Sequence, residues 1–305
     1  MWKVVKRGLF LDFNKRYYNI FAVILVVLIS MIIVFSTTAF SVVNSSTPKD
    51  DTTINFTPEE IKDQSQLKTF KSPQSALDSA LKIYNDKNIK FHSKSEGDLN
   101  VFLGSTKVTS QKLYTEKFKI NDKTRYHISS SRKKDDGIGI TVYSQAFLVN
   151  NEIKLRTTNT VSSSFVPEGL SNWETVSTED YKNTYGILPC ELNYFLNKSA
   201  IKKYESFRDN VTYYTVIVIL DPSVAGVNYK KQIKNLAGSN EDPVITSLKM
   251  TCNINKYTGA FSSITYQETY NVNAMGINAN CEMSYQETFD YDEIKLPDYL
   301  QGFLD

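Results

Sequence analysis

Two short segments near the C-terminus place a glutamate between two aromatic residues at alternating positions. They are Tyr266-Gln267-Glu268-Thr269-Tyr270 and Tyr285-Gln286-Glu287-Thr288-Phe289. In a β-strand, residues two positions apart point to the same face of the sheet. Each carboxylate therefore shares a face with two large rings, and if that face is concave the acids line or rim a pocket. Such an acid can bind a polar or cationic ligand group, or its pKa can rise because burial removes water.

The same two acids also have simpler interpretations. Glu268 and Glu287 could lie near a sheet edge and pair with Lys or Arg, or their stretch of the face could be solvated. On the sequence alone we favour these structural roles and keep both acids as candidates. A pair of carboxylates is also the catalytic set of most glycoside hydrolases, but no other feature supports that activity.

Other catalytic, metal and cofactor patterns are absent from the sequence. There is no H-E-x-x-H, G-x-S-x-G, P-loop or dinucleotide glycine pattern. Cys and His pairs with the spacing of metal ligands are missing, and His92 and His127 stand in polar sequence that is typical of a surface. We therefore expect no enzyme activity, no catalytic residue, no metal site and no cofactor.

Three cysteines raise the question of a disulfide outside the cytoplasm. Cys252 and Cys281 are predicted on the first and third strands of a meander, about 9.6 Å apart, and a disulfide needs Cα atoms within about 7 Å. Both also point to the apolar face, so we expect small buried core residues. A bond between Cys190 and either of them stays open.

Residues 20–40 form an uncharged stretch that predicts a transmembrane helix. Its 21 residues are long enough to cross a hydrocarbon core of about 30 Å. Residues 1–19 carry five basic residues and one acid, so this basic tail is predicted in the cytoplasm and the remainder outside. The alternative, a cleaved signal peptide, fits less well because its apolar core usually has about 7–15 residues. We expect a single-pass protein of the cell membrane.

The remainder of the chain divides into a linker and one large domain. Residues 41–66 are rich in Ser, Thr, Asp and Asn, which predicts a flexible linker. Residues 67–305 have the mixed composition of a folded extracytoplasmic domain. The charges outside the basic tail are nearly balanced, so no nucleic acid partner is expected.

The order of predicted elements in this domain is a helix, many antiparallel strands, a late helix and a final three-stranded meander. Ser72 and Pro73 have the residue types of a helix start, and this helix should end near Asp86. Further helices are predicted over 178–185 and after Asp221-Pro222, the latter ending at Gly238. The run 213–220 is apolar on both faces, which predicts a central strand.

This order resembles the LolA-like and LppX-like proteins of bacterial envelopes. The residues that carry the resemblance are Leu220-Asp221-Pro222 with Tyr229, then Cys252 to Gly259, then Tyr266-Gln267-Glu268. The resemblance implies an α+β fold over about residues 72–292, in which a curved antiparallel β-sheet forms a half-barrel with helices on its concave face. It also implies an apolar cavity for a lipid or another amphiphile. The chain differs from these lipoproteins in its predicted transmembrane anchor, which replaces a lipidated cysteine.

From these observations we predict a membrane-anchored extracytoplasmic binding module that holds a lipid or other amphiphile in a sheet-lined cavity. The alternative is a non-catalytic protein-interaction or structural module, cystatin-like or NTF2-like, within a cell-envelope complex. The predicted partners are the membrane, through residues 20–40, an amphiphile, and an envelope protein. The candidate cavity residues are Met250, Tyr266, Glu268, Tyr270, Met283, Tyr285, Glu287 and Phe289.

Overall fold

The computed structural model describes most of the chain after residue 66. The described residues are 67–121, 125–135, 141–149, 152–160, 173–189, 191–236, 239, 241–274, 276–292 and 294. The predicted basic tail, membrane anchor and linker, together with Cys190, lie outside the described residues. Among the helices that are described, none is long and apolar enough to cross a membrane.

Within the described residues the chain forms four helices and eleven strands. The helices are α1 (Pro73–Asn85), α2 (Thr178–Tyr185), α3 (Pro222–Ala225) and α4 (Val227–Leu236). The strands of the N-terminal half are β1 (Phe91–Leu103), β2 (Thr106–Asn121), β3 (Arg125–Asp135), β4 (Thr141–Val149), β5 (Glu152–Thr160) and β6 (Glu174–Ser177). Those of the C-terminal half are β7 (Ile201–Asp209), β8 (Tyr213–Leu220), β9 (Val244–Asn255), β10 (Phe261–Ala274) and β11 (Ile277–Asp290).

The described strands form one antiparallel sheet in the order β6-β5-β4-β3-β2-β1-β11-β10-β9-β8-β7. The first six strands run as a meander from the middle of the sheet to one edge. The last five begin at the other edge and return to the middle, where β11 pairs with β1 and Met283 lies opposite Leu99. The predicted α+β class, mainly antiparallel sheet with few helices, is confirmed. The pairing also places the two strands that carry Glu268 and Glu287 in the interior of the sheet.

Helix α1 begins as its sequence predicts. The Ser72 side chain accepts a hydrogen bond from the Ser75 backbone N–H at 3.1 Å, and Pro73 occupies the first turn, where no N–H is needed. Ala76, Leu77 and Ala80 are completely buried. This apolar stripe packs the helix against β8 and β9.

All four helices cover the same face of the sheet, which we call the inner face. Its main apolar cluster joins α1, α3 and α4 to alternate residues of β1 and β8–β11, including Val216, Met250 and Tyr266. A second cluster packs Tyr181 of α2 against Ala146 and other residues of β4 and β5. Cross-strand pairing puts Ala146 on the same face as the main cluster. Polar side chains that share this face must therefore find partners in a largely dry interior.

Two predicted elements differ in detail from the structure. The 213–220 strand forms as β8, but the prediction that it is central was wrong, because only β7 separates it from the edge. Its inward residues are buried, whereas the outward Tyr213 is exposed. The predicted late helix is divided at Gly226, where an added Cβ would lie 2.7 Å from the Ile245 side chain. A side chain at this bend would therefore have to displace the end of the Ile245 side chain on β9.

Changing Lys119 to methionine is expected to lower the free energy of unfolding by about 1–3 kcal/mol. Lys119 is buried on β2, and its ammonium donates to the carbonyls of Tyr84 and Asp86 at the C-terminal end of α1, the latter at 2.7 Å. The change would leave those helix-terminal carbonyls without this cation. Urea denaturation measures the loss, and hydrogen exchange should accelerate in the last turn of α1. The exposed Lys82→Met change is the matched control; an equal effect there would contradict the capping role.

Candidate functional site

The eight candidate residues all lie on the inner face of the sheet. Cross-strand pairing places Glu268 opposite Met283, and Tyr266 opposite both Met250 and Tyr285. Glu268 and Glu287 are only 3% and 1% exposed. The interpretation that these acids lie near a sheet edge or in a solvated stretch was therefore wrong. The aromatic and methionine candidates belong to or pack against the main apolar cluster: Met250, Tyr266, Tyr270, Met283, Tyr285 and Phe289.

Glu287 has a full set of partners. Its Oε1 accepts a hydrogen bond from Ser93 Oγ at 2.7 Å and lies 3.0 Å from the ammonium of Lys117. The Tyr266 hydroxyl donates to Oε2 at 3.5 Å. Because Lys117 is almost as buried as Glu287, the two charges compensate each other in an interior that would not tolerate either alone. The interpretation that the two acids pair with Lys or Arg is correct for Glu287.

Glu268 has a very different environment from Glu287. Its Oε1 accepts a single long hydrogen bond, 3.4 Å, from the Tyr229 hydroxyl of α4. Its Oε2 is buried without a hydrogen-bond partner among the described residues. Burial raises the pKa of this carboxyl well above its ordinary value. Two glutamates with the same sequence pattern thus differ in chemistry: one belongs to an ion pair, and the other is an isolated acid.

Phenol rings surround Glu268 and form what we call the tyrosine–glutamate cluster. Its members are Tyr194, Tyr229, Tyr266, Glu268, Tyr270 and Tyr285. The Tyr266 and Tyr285 rings stack with centroids 4.4 Å apart, and the Tyr194 and Tyr229 rings meet edge to face at 5.1 Å. The Tyr194 hydroxyl, like Glu268 Oε2, is buried without a hydrogen-bond partner in the described part of the chain.

An irregular segment, residues 191–196, covers the cluster together with α4. Asn193 donates from Nδ2 to the Tyr285 hydroxyl at 2.8 Å, and the Phe195 N–H donates to the Ala225 carbonyl at 3.1 Å. Between them the Tyr194 side chain points inward and is 2% exposed. Tyr285 is only half-buried, so it forms the outer end of the cluster, and Asn193 holds the segment over it.

Sequence reasoning did not find Tyr194, Asn193 or the partner role of Tyr229. Tyr229 lies four residues before Ile233 on the buried face of α4, a spacing that indicates core packing and nothing more. Tyr194 and Asn193 belong to a segment without periodicity. No local sequence pattern predicts that such a segment crosses the inner face of a sheet.

In the looser third copy of the pattern, Tyr114-Thr115-Glu116-Lys117-Phe118, Glu116 lies opposite Lys94 and therefore on the outer face of the sheet. Glu116 Oε1 lies 2.6 Å from His92 Nε2, and the His92 ring stacks on Phe118 with centroids 4.3 Å apart. His92 alternates with Phe91 and Ser93, which point inward. The prediction that His92 is a surface residue is therefore only partly correct, because its side chain is 23% exposed.

Cys252 and Cys281 are both buried, as predicted. Across β10, Cys252 is level with Ile264 whereas Cys281 is level with Tyr270, so the two thiols are offset along the strands as well as across them. Burial raises the pKa of the Cys252 thiol to about 12, which makes it unreactive at neutral pH. The described residues contain no group of three His, Cys, Asp or Glu that could hold a metal ion.

Changing Gly97 to alanine is expected to lower the free energy of unfolding by about 1–3 kcal/mol. Gly97 of β1 lies directly opposite Tyr285, and an added Cβ would be 2.2 Å from the Ser284 carbonyl oxygen and 2.3 Å from the Tyr285 Cβ. Because these contacts involve backbone, β11 must shift and carry Tyr285 with it. Urea denaturation tests the prediction. Ser95→Ala, two residues earlier on the same face, is the control. If the two variants are equally stable, the prediction for Gly97 is wrong.

No protein-family model and no curated protein matches the chain. Among solved structures, a DUF1329 family protein from Desulfovibrio piger ATCC 29098 shares 11% identity, with 74% of this chain and 95% of that chain covered and a TM-score of 0.27. A putative outer membrane lipoprotein-sorting protein domain from Vibrio parahaemolyticus shares 8%, with coverage of 76% and 99% and a TM-score of 0.28.

A LolA superfamily protein from Nitrosomonas europaea also matches, at 9% identity, with 75% of this chain and 96% of that chain covered and a TM-score of 0.21. The matched structures thus include proteins of the class that the sequence was expected to resemble. Superpositions with scores this low do not transfer a function to this chain.

Proposed function

We propose that this chain is a membrane-anchored, non-catalytic binding module that holds an amphiphile between the inner face of its sheet and the cover formed by residues 191–196 and α4. The sheet curves as a half-barrel around this ligand. The anchor is the predicted helix over residues 20–40, which places the domain outside the cytoplasm at the membrane surface. An amphiphile leaving that membrane meets a module that offers both apolar and polar contacts.

The observation that carries the proposal is the tyrosine–glutamate cluster. A site lined by apolar side chains alone would favour a closed core, because such side chains are most stable when they pack against one another. Here Glu268 Oε2 and the Tyr194 hydroxyl are buried without partners among the residues that the structure describes, although more than nine in ten buried polar groups in native proteins are hydrogen-bonded. Polar atoms kept in an apolar interior at a cost in stability are typical of binding sites. An amphiphile supplies both an apolar chain for the core and a polar head for these oxygens.

The entrance is proposed at Tyr285. Its ring is half-buried and stacks on Tyr266 deeper in the cluster. One hydrogen bond from Asn193 joins it to the covering segment. Opening this contact moves an irregular segment and leaves the sheet unchanged, which costs less than separating two strands.

Native mass spectrometry of residues 67–305, purified without detergent, tests the proposal. We expect a co-purifying amphiphile that is lost in Tyr285→Arg, where a charge blocks the entrance. Ser284→Arg is the matched control, because it places the same charge on the neighbouring residue at the exposed face of β11. A cooperatively folded domain with a clean apo mass would overturn the proposal in favour of the protein-interaction module.

A further inference from the structure

Three buried side-chain oxygens in the described residues lack a hydrogen-bond partner: Glu268 Oε2, Tyr194 OH and Tyr291 OH. Two of the three belong to the tyrosine–glutamate cluster. Tyr229 contacts both Glu268 and Tyr194. Its hydroxyl donates to Glu268 Oε1 at 3.4 Å, and the centroid of its ring lies 5.1 Å from that of the Tyr194 ring. Each such oxygen lowers the stability of the folded chain, because it has lost its hydrogen bonds to water. A shared ligand group would remove both costs at once.

The chemistry of these oxygens limits what that group can be. A carboxylate oxygen accepts hydrogen bonds, and a tyrosine hydroxyl both accepts and donates them. An anionic head would add a buried negative charge without a counter-ion, because the nearby cation Lys117 is already paired with Glu287 at 3.0 Å. A quaternary ammonium has the right charge but no N–H to donate. A primary ammonium has three N–H donors and a positive charge.

We infer that the tyrosine–glutamate cluster is the head-group site for an amphiphile bearing a primary ammonium, whose N–H groups donate to Glu268 Oε2 and the Tyr194 hydroxyl. This inference rests on the proposed amphiphile-binding function. The phenol rings contribute as well, since a cation within about 6 Å of an aromatic ring centroid is attracted by its π face. The apolar chain of the ligand then lies along the inner face beside Met250 and Met283.

The proton balance of this binding step follows from the burial of Glu268. In the free chain burial raises the pKa of this carboxyl and so favours its protonated form. When the ammonium binds, Glu268 loses its proton to solvent and becomes the carboxylate that pairs with the cation, so one proton is released for each ligand. The titratable groups of the described residues around Glu268 are the phenols of Tyr229, Tyr266, Tyr270 and Tyr285, with Tyr194 packed on Tyr229 and the paired acid Glu287 beyond them. Burial raises the pKa of Tyr229, Tyr270 and Tyr285, so these phenols stay neutral.

Isothermal titration calorimetry on the full chain in phosphatidylglycerol nanodiscs tests the inference with four ligands of equal chain length. They are hexylamine, hexyltrimethylammonium, hexanol and hexanoate, each titrated in two buffers of different ionisation enthalpy. We expect hexylamine to bind about tenfold or more tightly than the other three, the value of one charged hydrogen bond, with release of about one proton. Glu268→Gln, which keeps the shape of the side chain, should lose this preference and the proton release.

The outcomes separate the inference from the function on which it rests. Equal binding of hexylamine and hexanol, or unchanged hexylamine binding in Glu268→Gln, would overturn the ammonium site while leaving an amphiphile-binding module. If none of the ligands binds nanodiscs that carry the protein more strongly than empty nanodiscs, both the ammonium site and the amphiphile-binding function would be overturned. If hexyltrimethylammonium binds as tightly as hexylamine, the site recognises positive charge without N–H donors. The assignment of a primary ammonium would then be wrong.

Discussion

Replacing Glu287 by methionine is expected to lower the free energy of unfolding by about 3–5 kcal/mol, because a buried cation then loses its counter-ion. Lys117 has only a tenth of its side chain exposed and lies 3.0 Å from Glu287 Oε1. The Ser93 hydroxyl, 2.7 Å from the same oxygen, loses its acceptor as well. Urea denaturation of residues 67–305 measures the change.

Two further variants make the prediction for Glu287 specific. The double change Glu287→Met with Lys117→Met should recover most of the lost stability, because the two buried charges disappear together. Asp242→Asn breaks an exposed ion pair with Lys234 and should cost about 1 kcal/mol or less. If the double variant is no more stable than the single one, Lys117 is not the reason for the loss.

The second large effect is expected at Glu268 and has the opposite sign. Glu268→Met should raise the free energy of unfolding at neutral pH by about 1–3 kcal/mol, because it removes a buried carboxyl with one oxygen that has no partner in the described part of the chain. Methionine has a similar length and fits the apolar surroundings of Met250 and Met283. The same variant should lose amphiphile binding, the exchange of function for stability that is typical of a binding site. A destabilised Glu268→Met variant would show that the acid has a structural partner and would contradict this interpretation.

The pH dependence of stability provides an independent test of Glu268. Its pKa is raised in the folded chain, so between its ordinary value and the raised one the folded state holds a proton that the unfolded chain has lost. The contribution of Glu268 to the free energy of unfolding is therefore fully present below the ordinary pKa and is lost as the pH rises through the raised pKa. Within this window the free energy of unfolding falls by up to about 1.4 kcal/mol per pH unit. Comparing denaturation of wild type and Glu268→Gln across this window isolates the contribution. Parallel curves would mean that Glu268 is not an isolated acid.

The sequence predicted the elements of this fold better than their arrangement. Pro73 and Ser72 mark the start of α1, and alternation over β9–β11 identifies three strands together with their inward side, because these signals act within a few residues. The pairing of β1 with β11 joins residues almost two hundred positions apart, and no local pattern encodes it. For the same reason β8 was expected to be central, since an apolar run does not reveal how many strands lie beyond it.

The candidate site shows the same limit at the level of side chains. The repeated pattern correctly grouped Glu268 and Glu287 with aromatic residues on one face, because strand periodicity determines that grouping. It could not distinguish the two acids, because their difference depends on Lys117 and Ser93 reaching one of them from β2 and β1. Tyr194 was not predicted for a related reason, since its position depends on the path of an irregular segment.

Methyl NMR on residues 67–305 with ¹³C-methyl methionine tests the central claim most directly. Met283 lies opposite Glu268 and Met250 lies opposite Tyr266, so their methyl groups flank the proposed site from β11 and β9. With hexylamine added, we predict intermolecular NOEs from its alkyl protons to both methyl groups, absent in Tyr285→Arg and retained in Ser284→Arg. An unchanged spectrum at saturating hexylamine and hexanol, from a domain that remains cooperatively folded, would contradict an amphiphile site on the inner face.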